Sequence, residues 1–391
     1  MQYGYNADMD IKLTEDQEMF CKMVADLASK EFAEKAKEID KSHRFPAENV
    51  KLMAECGLMG LTVPEKWGGA EMDYVCYALA VEELSKACAS TGTIFSAHLS
   101  LCAIPIYKYG NEEQHEKFLK PLATGEKLGA FALSEPGNGS DAAAMRTSAT
   151  EDGDYYVLNG SKAWITNGEV ADTYLILAQT DYEAKHKGVT AFIVEKGTEG
   201  MSFGKPEDKL GIRASSTTQI HFDNCRVPKA NVLSKIGDGF KIAMATLDGG
   251  RIGMAGQAVG VARAAFEDSI RYAQEREAFG TKISNFQAIQ FKLANMVTDI
   301  DAAKLLIYKA ATAHDRGENF SRFAAQAKLF ASEMAMKHTV EAIQIHGGYG
   351  YTTEYNVERY MRDAKITEIY EGTSEIQRIV IAKALLKAYG I

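Results

Sequence analysis

Apolar residues recur every three or four positions in the last third of the chain, the spacing of helices that bury one face. The clearest stripe comprises Ile289, Leu293, Met296, Ile300, Ala303 and Ile307, and similar stripes run through 259–270 and 325–343. All seven prolines lie at or before Pro228. Because proline costs about 3 kcal/mol inside a helix, this pattern predicts three or more long helices packed as a bundle.

The first third of the chain is also predicted to be helical. Thr14 is a possible N-cap for an amphipathic helix over 15–30, and further helices are predicted over 47–56, 73–88 and 112–119. The middle third differs, because β-prone runs at 154–158 and 161–165 flank Asn159-Gly160, a dipeptide typical of hairpin turns. More strands are predicted over 173–179, 189–194 and 218–222.

The order of helices, then strands, then helices predicts an α+β protein, not an alternating βαβ fold. We predict an N-terminal helical domain over 1–126, a middle β domain over 127–237 and a C-terminal helical bundle over 238–391. No GxGxxG sequence follows a predicted strand, which argues against a Rossmann dinucleotide site.

Composition narrows the classes of protein. The 391 residues are 46% hydrophobic and 25% charged, as in ordinary globular proteins. A net charge of −9 without a basic cluster argues against nucleic acid or an anionic membrane as the main partner. Six cysteines without a CxxC pair indicate reduced thiols and a cytoplasmic location. The eight histidines form no ligand spacing, so no metal is expected.

Two further expectations concern membranes and targeting. Residues 1–12 are mixed polar and acidic, so we expect no signal or transit peptide. We also expect no membrane span, because no apolar run in the sequence approaches the roughly 18 residues that one needs.

The segment Ile366–Glu375 holds the strongest candidate for chemistry. Glu371 stands between Tyr370 and Gly372, and two hydroxyl residues follow. Glycine permits close backbone approach to a ligand, and a partly desolvated carboxylate has a raised pKa and becomes a better base. Glu371 is therefore a candidate base that removes a proton from carbon. A plain helix start, with Thr373 or Ser374 as the N-cap, is an equally open interpretation.

Five other segments contain candidate binding residues, each with an ordinary structural alternative. In 131–141 and 164–168, glycines, hydroxyls and Trp164 could meet an anion or a planar ring, or be a Pro-Gly turn and a core tryptophan. In 248–251, Arg251 could pair with a phosphate, or Asp248 could cap a helix that follows. In 276–280, Arg276 could reach a pyrophosphate, and Gln287, a little further along the chain, could reach an adenosine. The glycines of 344–350 could also allow close approach to a ligand. Alternatively, the glycines of both segments, such as Gly280, could end helices.

These six segments, in this order, resemble the acyl-CoA dehydrogenase family over about residues 12–388, most closely its short-chain, butyryl-CoA type. Segments 248–253 and 361–373 are the most specific. The resemblance implies an N-terminal helical domain, a middle antiparallel β-barrel and a C-terminal four-helix bundle. It also implies FAD as the cofactor, an electron-transfer flavoprotein as the electron acceptor, and a homotetramer built as a dimer of dimers.

The resemblance also assigns roles to residues. It implies that Glu371 removes the α-proton of an acyl-CoA thioester while a hydride leaves the β-carbon for the flavin. The flavin half of FAD would contact Phe131, Leu133, Ser134, Gly139, Ser140, Trp164, Ile165, Thr166, Thr373, Ser374 and Glu375. The ADP half, partly across a dimer, would contact Arg276, Phe279, Gln287, Gln344, Ile345, Gly347 and Gly348. Acyl-CoA would contact Ser140, Asp248, Gly249, Gly250, Arg251, Tyr370 and Gly372.

Some relatives carry the base at the position that Gly250 occupies here, which supports Glu371 as the sole base. Ser234, where many relatives have glycine, and His346 are minor departures. Two alternatives stay open: the same chemistry on a branched, cyclic or aryl acyl-CoA, and a non-catalytic flavin or CoA scaffold, which Glu371 argues against. We expect the region 87–102, including Thr91 and His98, to line the substrate pocket.

Overall fold

The computed structural model describes residues 12–391. Residues 1–11 lie outside the described residues, and with them the start of the predicted first domain and most of the segment expected to hold no targeting signal. The N-terminal helices are α1 (Glu15–Leu27), α2 (Ala33–Ser42), α3 (Ala47–Glu55), α4 (Tyr74–Ala87), α5 (Ala89–Ser96), α6 (Ile104–Tyr109), α7 (Glu112–Gln114) and α8 (Lys120–Ala123). π-Helical turns at Ala28–Phe32, Ala97–Ala103 and His115–Leu119 connect α1 to α2, α5 to α6 and α7 to α8. Thr14 caps α1 in a capping box with Gln17, as predicted.

The middle of the chain forms a sheet of eight strands. They are β1 (Gly129–Ala132), β2 (Ser148–Asp152), β3 (Tyr155–Thr166), β4 (Thr173–Gln179), β5 (Val189–Glu195), β6 (Met201–Phe203), β7 (Thr217–Pro228) and β8 (Val232–Leu233). The order is β6-β7-β3-β2-β4-β5-β8, with β1 beside β4. The sheet is mainly antiparallel, as expected, but β4 pairs in parallel with both β1 and β2.

The hairpin predicted at Asn159-Gly160 is wrong. β3 runs straight through both residues, and the β2–β3 turn lies at 153–154, since Asp152 pairs with Tyr155. Gly160 instead adjoins an irregularity in the pairing with β7. Its φ is +139°, and an added Cβ would lie 2.7 Å from the Cα of Thr147. This glycine is therefore needed for close strand contact and not for a turn.

Four long helices and one short one form the C-terminal part, which confirms the predicted bundle. They are α9 (Gly239–Glu275), α10 (Gln287–Asp315), α11 (Ser321–His346), α12 (Val357–Lys365) and α13 (Ser374–Ala388), and a small hairpin of β9 (Glu277–Ala278) and β10 (Thr281–Lys282) joins α9 to α10. α9 packs on α11, α4 and α10 and also contacts β5, so it links all three parts of the chain. The boundaries at 126/127 and 237/238 stay predictions.

Two helix ends differ from expectation. Asp248–Arg251 lies inside α9 and does not precede a helix, so Asp248 is not an N-cap. Gly280 is not the stop of α9, which ends at Glu275; with a φ of +77° it lies in the turn between β9 and β10. Gly347, with a φ of +59°, does end α11 as predicted.

The reason given for expecting no membrane span needs correction, although the expectation itself is not contradicted. Among residues 12–391, the helical stretch Ala89–Tyr109 is long and apolar enough to cross a membrane by length and composition alone. Its most apolar window is completely buried inside the protein, however. The stretch packs against α9 and β1, so the fold uses it as a core helix.

Candidate active site

A cavity of about 680 Å³ lies where the sheet, the α5–α6 region, α9 and the segment before α13 meet. From the β domain it is lined by the predicted residues Phe131, Leu133, Ser134, Gly139, Ser140, Trp164, Ile165 and Thr166. From the C-terminal part it is lined by the predicted residues Arg251, Tyr370, Glu371, Gly372 and Thr373. The fold therefore brings four of the separate segments with predicted residues to one site.

Glu371 lies in a strained turn directly before α13. Its φ is +53°, and Gly372 follows with a φ of +95°, so two successive residues are left-handed. This conformation costs a residue other than glycine roughly 1–2 kcal/mol, and such strain concentrates at functional sites. The side chain of Thr373 caps α13 by accepting the Ile376 N–H at 3.3 Å. The helix-cap interpretation is thus correct for Thr373, while Glu371 remains outside the helix.

The Glu371 carboxylate combines burial with a missing partner. Its Oε2 atom is buried and accepts no hydrogen bond from residues 12–391. Burial raises the pKa of Glu371 to about 7, although the positive charges of Lys328 and Arg251 oppose this rise. A base with a pKa near neutrality and a free lone pair is suited to accept a proton from a bound ligand.

Gly250 of α9 faces this carboxylate. A Cβ atom added to Gly250 would lie 2.1 Å from Glu371 Oε2 and 3.0 Å from Leu101 Cδ2. No side chain fits there unless the carboxylate moves. Gly250 therefore provides the space that Glu371 occupies, which explains in packing terms why this residue is glycine.

A chain of polar side chains lies beside the cavity on the side of α5. The Tyr370 hydroxyl donates to the Gln257 side-chain oxygen, and Gln257 Nε2 donates to Thr93 Oγ1 at 3.0 Å. Gln257 and Thr93 are buried, while Thr93 and Tyr370 line the cavity together with the apolar Ala97, Leu101 and Met254. These three hydrogen-bonded side chains limit the cavity on this side, because a ligand that pushed them apart would leave buried polar groups without partners.

The expectation for region 87–102 is correct only in part. Thr93, Ala97 and Leu101 line the cavity, but Thr91 and His98 do not. Thr91 accepts a hydrogen bond from Asn49 at 2.9 Å. His98 lies between the Met59 carbonyl, 3.1 Å from Nε2, and the Gly129 N–H, which donates to Nδ1 at 2.9 Å.

Buried Arg251 pairs with partly exposed Asp248 on α9. Arg251 Nη1 donates to Asp248 Oδ1, and the other Asp248 oxygen accepts from the Ser321 hydroxyl. Burial lowers the pKa of Arg251 below its usual range, and its Nε has no partner among the described residues. Asp248 and Gly249 line a second cavity of about 120 Å³ on the other side of the helix. The predicted substrate residues thus span α9 from one cavity to the other.

A buried ion pair supports the loop that carries Ser134 and Ser140. Lys162 Nζ lies 2.8 Å from Glu135 Oε1 and donates to the Leu133 carbonyl at 3.1 Å. The Glu135 carboxylate also accepts the N–H groups of Arg146 at 2.6 Å and Thr147 at 2.9 Å. This pair fixes the ends of the loop. Both residues lie within ranges that the sequence patterns singled out, 131–141 and 161–165, but neither was assigned a role.

Trp164 is not the core tryptophan that was the simpler alternative. Its side chain is 63% exposed and its φ is +62°. The residue lines the cavity, so a large aromatic surface faces the space where a ligand would bind.

The remaining predicted residues lie away from the cavity lining: Arg276, Phe279, Gln287, Gln344, Ile345, Gly347, Gly348, Ser374 and Glu375. Phe279 is 97% exposed at the tip of the β9–β10 hairpin. Arg276 lies over the Tyr349 ring at 5.6 Å, and Tyr272 stacks on His346 at 4.2 Å. Within a single chain these residues do not line the cavity. Their expected role in binding across a dimer stays a prediction.

Sequence reasoning missed two residues next to Glu371. Lys328 Nζ donates to the Gly372 carbonyl at 2.7 Å, and Gln377 Nε2 donates to the same oxygen at 2.8 Å. Lys328 follows Ala324 by four residues and precedes Ala331 by three, so it occupies the buried stripe of α11. A lysine in an apolar stripe was the signal that could have found it.

Three family descriptions match the chain in sequence order. The acyl-CoA dehydrogenase N-terminal domain matches residues 14–126, the middle domain 130–225 and the C-terminal domain 237–386. The chain belongs to the acyl-CoA dehydrogenase family. The "Acyl-CoA dehydrogenase, short-chain specific" of Clostridium acetobutylicum is 52% identical over 379 residues, 97% of this chain and 100% of that protein.

Several solved structures are similar to this chain over nearly its whole length. Butyryl-CoA dehydrogenase from Megasphaera elsdenii is 49% identical with a TM-score of 0.95, covering 97% of this chain and all of that one. A chain from work on the electron transferring flavoprotein of Acidaminococcus fermentans and flavin-based electron bifurcation is 52% identical with a TM-score of 0.96 and the same coverage. PigA, solved with FAD and proline, is 29% identical with a TM-score of 0.93, covering 96% of this chain and 99% of that one.

Proposed function

We propose that the protein oxidises a short-chain acyl-CoA thioester to the trans-2-enoyl-CoA, with Glu371 as the base. The observation that carries the proposal is the buried Glu371 carboxylate, whose Oε2 has no partner within residues 12–391 and lies against Gly250 at a large cavity. Membership of the family and the similarity to short-chain and butyryl-CoA enzymes support the choice of substrate.

The α-proton of a thioester is only weakly acidic, so the base must be unprotonated and close to the carbon. A carboxyl group with a pKa of about 7 is a much stronger base than an exposed glutamate, and about half of it is still ionised at neutral pH. The thioester oxygen must also be stabilised as negative charge develops. The backbone N–H of Glu371 would supply one donor, a contribution of about 3 kcal/mol for such a group.

The polar wall of Thr93, Gln257 and Tyr370 favours a short acyl chain. These side chains satisfy one another, and a longer chain would have to break that network or displace it. The cavity surface between this wall and Glu371 includes apolar Leu101 and Met254, which suits a few methylene groups. We propose that Ser140, Asp248, Gly249, Gly250, Arg251, Tyr370 and Gly372 contact the acyl-CoA.

FAD is the proposed cofactor, and the residues present fit a flavin. Trp164 offers an exposed aromatic surface, and the hydroxyls of Ser134, Ser140 and Thr166 line the same cavity. Gly139 has open space around its missing Cβ. When bound, FAD supplies the two-electron oxidant that accepts a hydride from the β-carbon. Its flavin half would be held by Phe131, Leu133, Ser134, Gly139, Ser140, Trp164, Ile165, Thr166, Thr373, Ser374 and Glu375.

The ADP half of FAD would be held by Arg276, Phe279, Gln287, Gln344, Ile345, Gly347 and Gly348, partly from a second subunit of a homotetramer. The nearly complete exposure of the Phe279 side chain supports this, because an exposed phenylalanine at a hairpin tip is suited to a contact with another chain. An electron-transfer flavoprotein is the proposed acceptor, supported by the similarity to the Acidaminococcus chain. The cytoplasmic location and the domain boundaries are proposed on the sequence arguments alone.

The test is anaerobic reduction of the purified holoprotein with a panel of acyl-CoAs. We expect butyryl-CoA to bleach the flavin and the Glu371→Gln variant to bind FAD and acyl-CoA without bleaching. Bleaching of the variant at a rate near that of the wild type would refute Glu371 as the base. Reduction by cyclic or aryl thioesters alone would refute the short-chain substrate, and no reduction by any thioester would favour a non-catalytic scaffold.

A further inference from the structure

A fully buried lysine, Lys328, contacts the turn formed by Glu371 and Gly372. Lys328 lies in the middle of α11, on the buried face that also carries Ala324, Ala331 and Ala335. An ammonium group is costly to bury unless it is paired or hydrogen-bonded. Among residues 12–391, the one hydrogen bond that its Nζ donates goes to the Gly372 carbonyl, at 2.7 Å. The ammonium group of Lys328 is therefore hydrogen-bonded to the backbone of the residue that follows Glu371.

Lys328 and Gln377 together hold the backbone of this turn. Gln377 Nε2 donates to the Gly372 carbonyl at 2.8 Å and to the Glu371 carbonyl at 3.3 Å. Glu371 and Gly372 are both left-handed, a conformation that glutamate rarely adopts without support. The two donors satisfy carbonyl groups that no helix satisfies at this point. They therefore stabilise the backbone from which the Glu371 carboxylate projects.

The charge of Lys328 acts on the carboxylate as well. Burial lowers the pKa of Lys328 to about 8, so the ammonium form prevails at neutral pH and below. The ionisable groups that interact electrostatically with Glu371 come from four elements: Tyr77 of α4, Arg251 of α9, Lys328 of α11, and Tyr370 beside it in the chain. Arg251 bonds to Asp248, a carboxylate that offsets its charge. Lys328 bonds to a neutral carbonyl, so its charge is not offset by a hydrogen-bonded acid. Glu368 and Glu375 act on it more weakly than Glu371 does.

We propose that Lys328 is a positioning residue for the base: its ammonium group holds the Glu371–Gly372 turn and supplies a positive charge that favours the carboxylate form of Glu371. This inference rests on the proposed function, since it assumes that Glu371 removes the proton. Lys328 does not line the cavity. It acts only through the turn and through its charge.

The first measurement is the pH dependence of anaerobic flavin reduction by butyryl-CoA in the holoenzyme. Lys328→Met removes both donor and charge, Lys328→Gln removes the charge but keeps a donor, and Lys328→Arg keeps both. We expect the midpoint of the rate-against-pH curve to move up by about one unit or more in the Met and Gln variants, the usual effect of losing a nearby opposite charge. Below the midpoint, the rate falls about tenfold for each unit of that shift.

Further outcomes separate charge from structure. The Arg variant should return the midpoint toward the wild-type value, and the Gln variant should keep more of the high-pH plateau than the Met variant. Flavin content and melting temperature report folding. A Met or Gln variant that retains flavin with an unchanged midpoint would overturn the proposal. So would a loss of rate by the same factor at every pH, because that is the result of a purely structural role.

A second measurement does not depend on turnover. Infrared difference spectra against pH follow the carboxyl band of Glu371, which is identified by its absence in Glu371→Gln. We expect this band to titrate at higher pH in Lys328→Met and Lys328→Gln than in the wild type, and an unchanged titration would overturn the inference. If no thioester reduces the wild-type flavin, the proposed function fails, but the infrared titration still decides whether Lys328 controls the ionisation of Glu371.

Discussion

Gly250→Ala is the most direct test of how closely the site is packed. The new Cβ would lie 2.1 Å from Glu371 Oε2 and 3.1 Å from its Cδ, whereas ordinary contacts with Cβ begin at about 3.4 Å, where the van der Waals attraction is favourable. The carboxylate must therefore move by more than an ångström. A misplacement of about 1 Å costs roughly 10²-fold in rate, so we expect the rate constant for flavin reduction at saturating butyryl-CoA to fall by about that factor.

Stability should respond differently from activity in this variant. Gly250 lies inside α9, where replacing glycine by alanine stabilises a helix by up to about 1 kcal/mol. This gain offsets part of the clash, so we expect the melting temperature and the flavin content to change little while the rate falls.

The control is Gly137→Ala, because Gly137 has no heavy atom within 4 Å of its added Cβ and has no role in the proposed site. Both variants are assayed anaerobically by stopped flow with butyryl-CoA. A Gly250→Ala enzyme that reduces its flavin at more than half of the wild-type rate would refute the reasoning, since the carboxylate would then not need its observed position.

Two further predictions concern pH and the supporting ion pair. Burial raises the pKa of Glu371 to about 7, so the protonated form is favoured below that pH. Because the base has to lose its proton before it can act, the rate of flavin reduction should rise as the pH increases through about 7. A rate that stays constant from pH 5 to 9 would contradict this prediction. Lys162→Met leaves the buried Glu135 without its cation, so urea unfolding should show a loss of about 3–5 kcal/mol and weaker flavin retention. The double variant Lys162→Met/Glu135→Gln should lose less stability than Lys162→Met alone, because no buried charge is left unpaired. Equal losses of stability in the single and double variants would contradict the pairing of Lys162 with Glu135.

Much of the fold follows from local patterns in the sequence. The apolar stripe from Ile289 to Ile307 is a property of neighbouring residues on one helix, and α10 forms where it predicts. The capping box at Thr14 likewise depends on residues three apart. Such elements are predictable because the interactions that select them lie within a few residues of each other.

Other features depended on residues far away in the chain. Asn159-Gly160 has the sequence of a turn, but pairing with β7 and close contact with Thr147 keep β3 extended through it. The glycines of the 248–251 segment would weaken an isolated helix, yet α9 continues through them because it packs on α4 and α11. Gly250 also leaves room for the Glu371 carboxylate. Propensity is overridden where tertiary contacts leave no alternative.

The sequence by itself determined the class of fold, the order of the three parts and Glu371 as a candidate base, because these follow from periodicity and from motifs that keep their order. Only the tertiary structure decided what surrounds that base. Lys328 is 43 positions from Glu371 and Gly250 is 121 positions away, so no local pattern links them. Burial, a left-handed turn and a missing partner arise only when α9, α11 and the segment before α13 pack together. The pKa of the carboxylate then follows from its burial and from the charges of Lys328 and Arg251.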